Sequence, residues 1–413
     1  MPLGRMEQTM KNCIVGQSGG PTAVINSSLC GVATAALKSD KIDKVFGAVN
    51  GIEGVLNEKF LDMAEILKTD EDADILKHTP SSFLGSCRFK LPAITDDNFY
   101  KNIFDIFTRN NIGYFFYIGG NDSMDTVDKL SAYAKKIGYD INIIGVPKTV
   151  DNDLTETDHT PGFGSAAKYI ATTVREIGID SDVYNLNSVT IVEIMGRNAG
   201  WLTASAILAR NDVFKAPHLI YLPEAVFDDE KFLNDIKSLN ESGVNNIIVA
   251  VSEGIKYADG TYVCEAASSG LTDVFGHKNL SGTAKVLENL VRDKLGFKAR
   301  GVEINVSQRC AAHFTSETDV CEAFTVGQCA VAEAENGGTG MMMAFERVSD
   351  EPYEIKIKAK EISKIANGER IVPSEWIVNG NDLTDDMITY LKPLILGEPK
   401  LKTENGVPVY LKR

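Results

Sequence analysis

The sequence predicts an α/β protein of two doubly wound domains, with mainly parallel sheets flanked by helices and the functional cleft between them. Three observations carry this. Strand-length Val/Ile-rich runs alternate with segments of helical period over nearly the whole chain. Those runs are apolar at successive positions, which suits strands buried on both faces, as in parallel sheets. The 413 residues, 44 % of them hydrophobic, exceed what one small core organises and supply enough apolar surface for two.

The elements follow in order. NCIVG, 12–16, reads as a strand, then a glycine turn and a helix over 21–38. VFGAVN, 45–50, and YFFYIGG, 114–120, are strands, the second ending in two glycines before a helix from Ser123. INIIGVPK, 141–148, is a strand, and a helix spans about Ser165–Gly178. SVTIVEI, 188–194, leads to a helix from Trp201, and HLIYLP, 218–223, to one from Asp228. NNIIVAVSEG, 245–254, is a strand, and 255–280 reads as a surface excursion. A helix near Ser281–Leu295, the strand ARGVEINV, 299–306, and a helix near Thr318–Glu335 complete the alternation. The tail differs: YEIKIKAKEI, 353–362, alternates like an exposed strand, and a short helix follows near Asp385–Leu396.

Composition narrows the function. The net charge of −15 disfavours partnership with nucleic acid or anionic membranes. No stretch is long and apolar enough to cross a bilayer, and the N-terminus has no apolar signal region, so a cytoplasmic protein is expected. Seven scattered cysteines without a CxxC pair argue against a disulfide framework and a zinc site.

The unusual polar clusters all fall at strand ends, where open α/β sheets place their ligands. GQSGGPTAVIN, 16–26, sets glycines between strand and helix; they either cradle an anion or serve a tight turn. GGNDS, 119–123, puts Asn121 and Asp122 at a helix start, as a cap or as a phosphate or metal contact. No GxxxxGKS is present, so this is no P-loop nucleotide site. PKTVDND, 147–153, crowds Lys148, Thr149, Asp151 and Asp153 after a buried strand. A carboxylate there can take a proton from a sugar hydroxyl, and a lysine can hold phosphate oxygens. MGRNAGW, 195–201, presents Arg197, and SEG, 252–254, presents Glu253. Arg300 and Arg309 flank GVEINV, and Arg88 lies in FLGSCRF. Any one arginine could be an ordinary surface charge; together they form the local positive patch that the acidic chain lacks globally.

In order and over roughly residues 12–345, these segments resemble the phosphofructokinase family. The resemblance implies phosphoryl transfer to the 1-hydroxyl of fructose 6-phosphate. Asp151 is then the general base, with Lys148, Thr149, Asp122 and Asp153 at the reaction centre. Gly19, Gly20, Arg88, Gly120 and Ser123 contact the donor phosphates. Thr149, Val150, Asp151, Met195, Gly196, Arg197, Glu253, Arg300 and Arg309 hold the sugar phosphate, Arg300 reaching into a neighbouring subunit. Magnesium is the implied cofactor, with Asn121 at its position, where the commoner motif has an aspartate. A neutral amide is a weaker magnesium partner than a carboxylate. A homodimer or homotetramer is expected.

Donor choice rests on two positions. ATP-using members resemble one another in having glycine at the position of Asp122 and usually at that of Lys148; pyrophosphate-using members carry Asp and Lys, as here. Two unit charges ~4 Å apart repel by roughly 4 kcal/mol at an effective dielectric of 20. That is ample for selection at ~1.4 kcal/mol per tenfold. The resemblance also places Cys30 and Thr34 where effector-binding arginines stand in bacterial ATP-using members, so nucleotide regulation is not expected. Residues 1–160 with 308–345 are the expected donor domain, 161–307 the sugar-phosphate domain and 346–413 a C-terminal appendage.

Overall fold

In a computed structural model of the chain, the described residues are 10–183, 185–266, 282–366 and 368–413. Among the described residues, eleven strands build the two main sheets: β1 (Lys11–Gln17), β2 (Ile42–Ala48), β3 (Phe60–Asp62), β4 (Ile112–Gly119), β5 (Asn142–Pro147), β6 (Ser188–Ile194), β7 (Leu219–Tyr221), β8 (Asn246–Ser252), β9 (Lys298–Glu303), β10 (Met341–Asp350) and β11 (Tyr353–Glu361). The larger sheet has the order β11-β10-β5-β4-β1-β2-β3, the smaller β7-β8-β6-β9. All pairs are parallel except β2 with β3 and β10 with β11.

Both sheets are covered on two faces, which is why their central strands read as unbroken apolar runs. In β1, Ile14 packs into one core while Cys13 and Val15 face another. In β4, Phe115 and Tyr117 oppose Phe116 and Ile118 in the same way. The small sheet repeats this: Val189 and Ile191 point to one side of β6, Val192 and Ile194 to the other. The strand order reverses at β1, whose neighbours are β2 and β4, so the chain leaves the carboxyl ends of β1 and β4 in opposite directions and opens a crevice there.

The helices Ile25–Leu37 and Glu317–Glu335 meet backbone to backbone at two glycines. A Cβ on Gly31 would lie 2.0 Å from the Phe324 carbonyl oxygen, and one on Gly327 2.4 Å from that of Ser28. The second helix also ties the two sheets together. Its Asp319, 2 % exposed, accepts the backbone N–H of Gly162 at 2.9 Å and of Ser165 at 2.9 Å, at the start of the helix Phe163–Ser181.

Several elements depart from expectation. The helix predicted over 21–38 begins at Ile25. Residues 21–24 go to tertiary contacts instead: the Thr22 carbonyl accepts the Ser81 N–H, and its side chain abuts Gly162. The helix from Trp201 is one α turn, Trp201–Ala204, then a 3₁₀ segment, Ser205–Ala209, whose end is held by Arg175 on the carbonyls of Leu208 and Ala209. The short C-terminal helix is Asp385–Leu391, followed by a 3₁₀ turn. The alternating tail segment is β11, paired with β10 at an edge of the large sheet, and the boundary at 346 falls inside β10. Ser281 and most of the excursion at 255–280 lie outside the described residues. Helices Asp70–His78 and Asp97–Arg109 had signals that the reading of periodicity passed over: a capping box at Thr69 and Asp72, and a cap at Asp96.

Candidate active site

A cleft of about 430 Å³ opens at the carboxyl ends of β1, β4, β5, β6 and β8. Its walls are residues 19–21, 120–123, 148–151, 153, 195 and 197–199, together with Arg88, Glu253, Arg309 and Glu369.

Backbone geometry shapes the donor-side wall. Gly19 has φ +76°, a conformation that glycine adopts without cost, and a Cβ on Gly20 would sit 3.3 Å from Arg309 Nη1. The helix Asn121–Ile137 starts from Gly120 with no side-chain cap. Its N-terminal end, the positive end of the helix dipole, stands in the cleft wall at residues 120–123, a setting that favours an anion. Asp122 is exposed at the cleft wall, and Ser123 is buried beside Gly119.

Lys148 is the buried cation of the site, 3 % exposed, and donates from Nζ to the Gly20 carbonyl at 2.6 Å. Burial lowers its pKa to about 8, against the pull of Asp151 and Asp153 in the other direction. Burial raises the pKa of Asp151, while Lys148, the Thr149 hydroxyl, Arg309 and Arg197 oppose that rise. Asp153 is pushed up to about 7 by burial and then by the charge of Asp151. Glu253 is likewise raised to about 7, chiefly by burial, and accepts weakly from the Gly196 N–H at 3.4 Å. Thr149 Oγ1 accepts the Asp151 N–H at 3.1 Å and lies 3.4 Å from Asp151 Oδ2. Asn121 Nδ2 donates to Asp153 Oδ2 at 3.2 Å. Its Oδ1 is buried and has no hydrogen-bond partner.

A family model, "Phosphofructokinase", matches residues 12–331. The chain belongs to the phosphofructokinase family. It is 42 % identical over 403 residues to a pyrophosphate--fructose 6-phosphate 1-phosphotransferase of Halomonas elongata, covering 96 % of this chain and 94 % of that one. The enzyme of the same name from Methylococcus capsulatus is 41 % identical, with 97 % and 95 % covered. The crystal structure of the pyrophosphate-dependent phosphofructokinase of Nitrosospira multiformis superposes with a TM-score of 0.88 at 39 % identity, covering 98 % of this chain and 96 % of that one.

Within this phosphofructokinase fold the cleft gathers nearly all the expected residues. Gly19, Gly20, Arg88, Gly120, Asn121, Asp122, Ser123, Lys148, Thr149, Val150, Asp151, Asp153, Met195, Arg197, Glu253 and Arg309 line it, and Gly196 lies beneath between Met195 and Arg197. Arg300 does not join them. It is exposed on β9, an edge strand, and lines a separate hollow with Ser188 and Asp180. Sequence reasoning overlooked Asn198 and Glu369 in the cleft wall, and Gln308, whose Oε1 accepts the Met195 N–H at 3.2 Å. Asn198 was within reach, being next to Arg197; Glu369 had no signal, lying in a tail of unremarkable pattern.

The titration of Lys148 makes an anion's affinity pH-dependent. Below pH 8 the ammonium is charged and attracts an anion; above it the charge and the attraction are lost. Sulfate, which does not titrate in this range, should bind at least about tenfold more weakly at pH 9 than at pH 7, measured by calorimetry, since Asp153 and Glu253 also gain negative charge over this range. Lys148→Arg should remove the lysine's share of that dependence, because a guanidinium stays charged.

Proposed function

We propose that this cleft performs in-line phosphoryl transfer with Asp151 as general base and Lys148 as the charge that steadies the transferring group. The reaction is the reversible transfer of a phosphoryl group from pyrophosphate to the 1-hydroxyl of fructose 6-phosphate, yielding fructose 1,6-bisphosphate and phosphate. The observation that carries the residue assignment is the placement of a buried lysine, two carboxylates and glycine loops in one cleft.

Asp151 takes the proton of the 1-hydroxyl as that oxygen bonds to the terminal phosphorus and the bridging P–O bond breaks. The departing phosphate carries the bridging electrons. Lys148, Arg88 and the first N–H groups of the helix Asn121–Ile137 offset its charge. Met195, Gly196, Arg197, Glu253 and Arg309 orient the sugar phosphate from the small-sheet side. Residues 1–160 with 308–345 act as the donor half and 161–307 as the acceptor half.

Magnesium fits this donor set. Asn121 Oδ1 is a buried oxygen without a partner, and Asp153 is the adjacent carboxylate. Among the described residues no group of three or more His, Cys, Asp or Glu is placed to cage a cation, so pyrophosphate oxygens and water would complete the coordination. The ion supplies neutralisation of donor charge when bound.

Nucleotide control is not part of this reading: Cys30 is buried, and Thr34 turns its hydroxyl to the Cys30 carbonyl. No helix among the described residues is long and apolar enough to cross a membrane. The acidic net charge of −15 supports an enzyme without nucleic-acid or anionic-membrane partners, which we place in the cytoplasm.

Asp151→Asn should lower kcat at least ~10²-fold with little change in fructose 6-phosphate affinity. Near-normal turnover in the folded variant would remove the base assignment.

Donor choice separates Asp122 from Lys148. Assayed with both donors, the wild type should use pyrophosphate in preference to ATP. Asp122→Gly should gain measurable ATP activity, and Lys148→Gly should chiefly lose pyrophosphate turnover. Preference of the wild type for ATP would end this reading.

Arg300, exposed on an edge strand away from its own cleft, supports a homo-oligomer in which it serves a neighbour. Coexpressed Asp151→Asn and Arg300→Ala chains should regain roughly a quarter of wild-type activity in a dimer, since half of the pairs are mixed and each mixed pair rebuilds one intact site. No regain would show that Arg300 acts within its own chain, and Arg300→Ala chains that are active on their own would show that it does not act.

A further inference from the structure

The segment that carries Asp151 and Asp153 is held from behind by residues beyond the span of the family model, which ends at 331. Between the two aspartates stands Asn152, fully buried, at φ +56°. Asparagine enters this region more readily than other non-glycine residues, and here both ends of its side-chain amide are also fixed by hydrogen bonds. Its Oδ1 accepts the Thr160 N–H at 3.1 Å, and its Nδ2 donates to the Tyr390 hydroxyl at 2.8 Å.

Tyr390 is 8 % exposed, and its hydroxyl is fully used. It accepts from Asn152 Nδ2 and from Arg370 Nη2 at 2.8 Å, and donates to the Asp158 carbonyl at 2.8 Å. A phenol has one donor and two acceptor positions, so this network leaves none spare. Arg370 reaches the same segment twice more. Its backbone N–H donates to the Asp153 carbonyl at 2.8 Å, and its Nη1 donates to the carbonyls of Thr157 and Asp158. The guanidinium lies 4.2 Å from the Trp201 ring, whose Nε1 donates back to the Arg370 carbonyl at 3.0 Å.

We infer that Tyr390 and Arg370 are positioning residues for phosphoryl transfer: they hold Asn152 in its left-handed conformation and so set the placement of Asp151 and Asp153. Neither lines the cleft, so both act through Asn152 and the backbone of 153–158. The tail beyond the sheet is on this view part of the reaction centre's frame. The inference rests on the assignment of Asp151 and Asp153 to the chemistry.

The test is steady-state kinetics on the full chain with magnesium, pyrophosphate and fructose 6-phosphate. Tyr390→Phe keeps the ring and removes one hydroxyl. It should lower kcat roughly 10- to 100-fold, as a displaced reacting group does, with both KM values within about twofold of wild type. In an Asn152→Gly background, where the backbone adopts positive φ unaided, Tyr390→Phe should cost far less than it does in the wild type. Arg370→Lys, which keeps the charge but not the fork, should repeat the kcat loss and serves if Tyr390→Phe does not fold. Wild-type kcat in a folded Tyr390→Phe or Arg370→Lys chain, a change confined to KM, or equal losses in the two backgrounds would overturn the inference. If the wild type itself lacks pyrophosphate-driven turnover, the proposed function fails with it; an active wild type beside an unimpaired variant sinks the inference alone.

Discussion

Burying the Lys148 ammonium is the constraint on which the site depends. A charge withdrawn from water must be repaid by close dipoles and counter-charges, or it loses its proton. Here the Gly20 carbonyl at 2.6 Å and the carboxylates of Asp151 and Asp153 supply the compensation. The partial fall of its pKa, to about 8, records a balance in which burial outweighs these partners. That balance needs the ends of β1 and β5 to lie together, with β4 between them, as the strand order places them. The same closeness brings Lys148 Nζ to 3.5 Å from where a Cβ on Gly19 would lie, in the loop that precedes the helix Ile25–Leu37.

Around this centre the carboxylates are poised rather than simply ionised. Burial first, and then the charge of Asp151 and, for Glu253, of Glu193, pushes Asp153 and Glu253 up to about 7. Bound phosphates and a cation would change these balances by adding charges of both signs. A basic donor set on an acidic chain is thus achieved locally: Lys148 and Arg197 come from the ends of β5 and β6, Arg309 from the short helix after β9 and Arg88 from the loop before the helix Asp97–Arg109.

The acidic loop is also anchored to the rest of the molecule through buried ions. His159, 2 % exposed, bridges Asp158 Oδ1 at 2.8 Å and Glu322 Oε2 at 2.7 Å, and its pKa is raised to about 9 because these two carboxylates outweigh the cost of burial. Arg347 adds a further contact to Asp158 at 2.9 Å. Glu322 lies on the helix that packs against Ile25–Leu37 through Gly31 and Gly327. Sheet, helix pair and loop therefore form one connected frame, held by hydrogen-bonded charge as well as by apolar contact.

Much of this was legible in the residues alone. The period of the apolar runs identified most central strands and the two-sided cover of the sheets, because burial on both faces leaves no polar alternation. Clusters such as PKTVDND stood out because functional groups rarely crowd at the end of a buried strand without use. Spatial order was not legible. That β10 and β11 extend the first sheet, that Arg300 turns away from the cleft, and that Glu369, Arg370 and Tyr390 return from the tail to the loop at 148–158 are consequences of how distant segments pack. Local sequence sets dihedral preference and amphipathic pattern. Which buried polar groups satisfy one another across more than 200 residues, as Asn152 and Tyr390 do, is decided only when the tertiary structure closes around them.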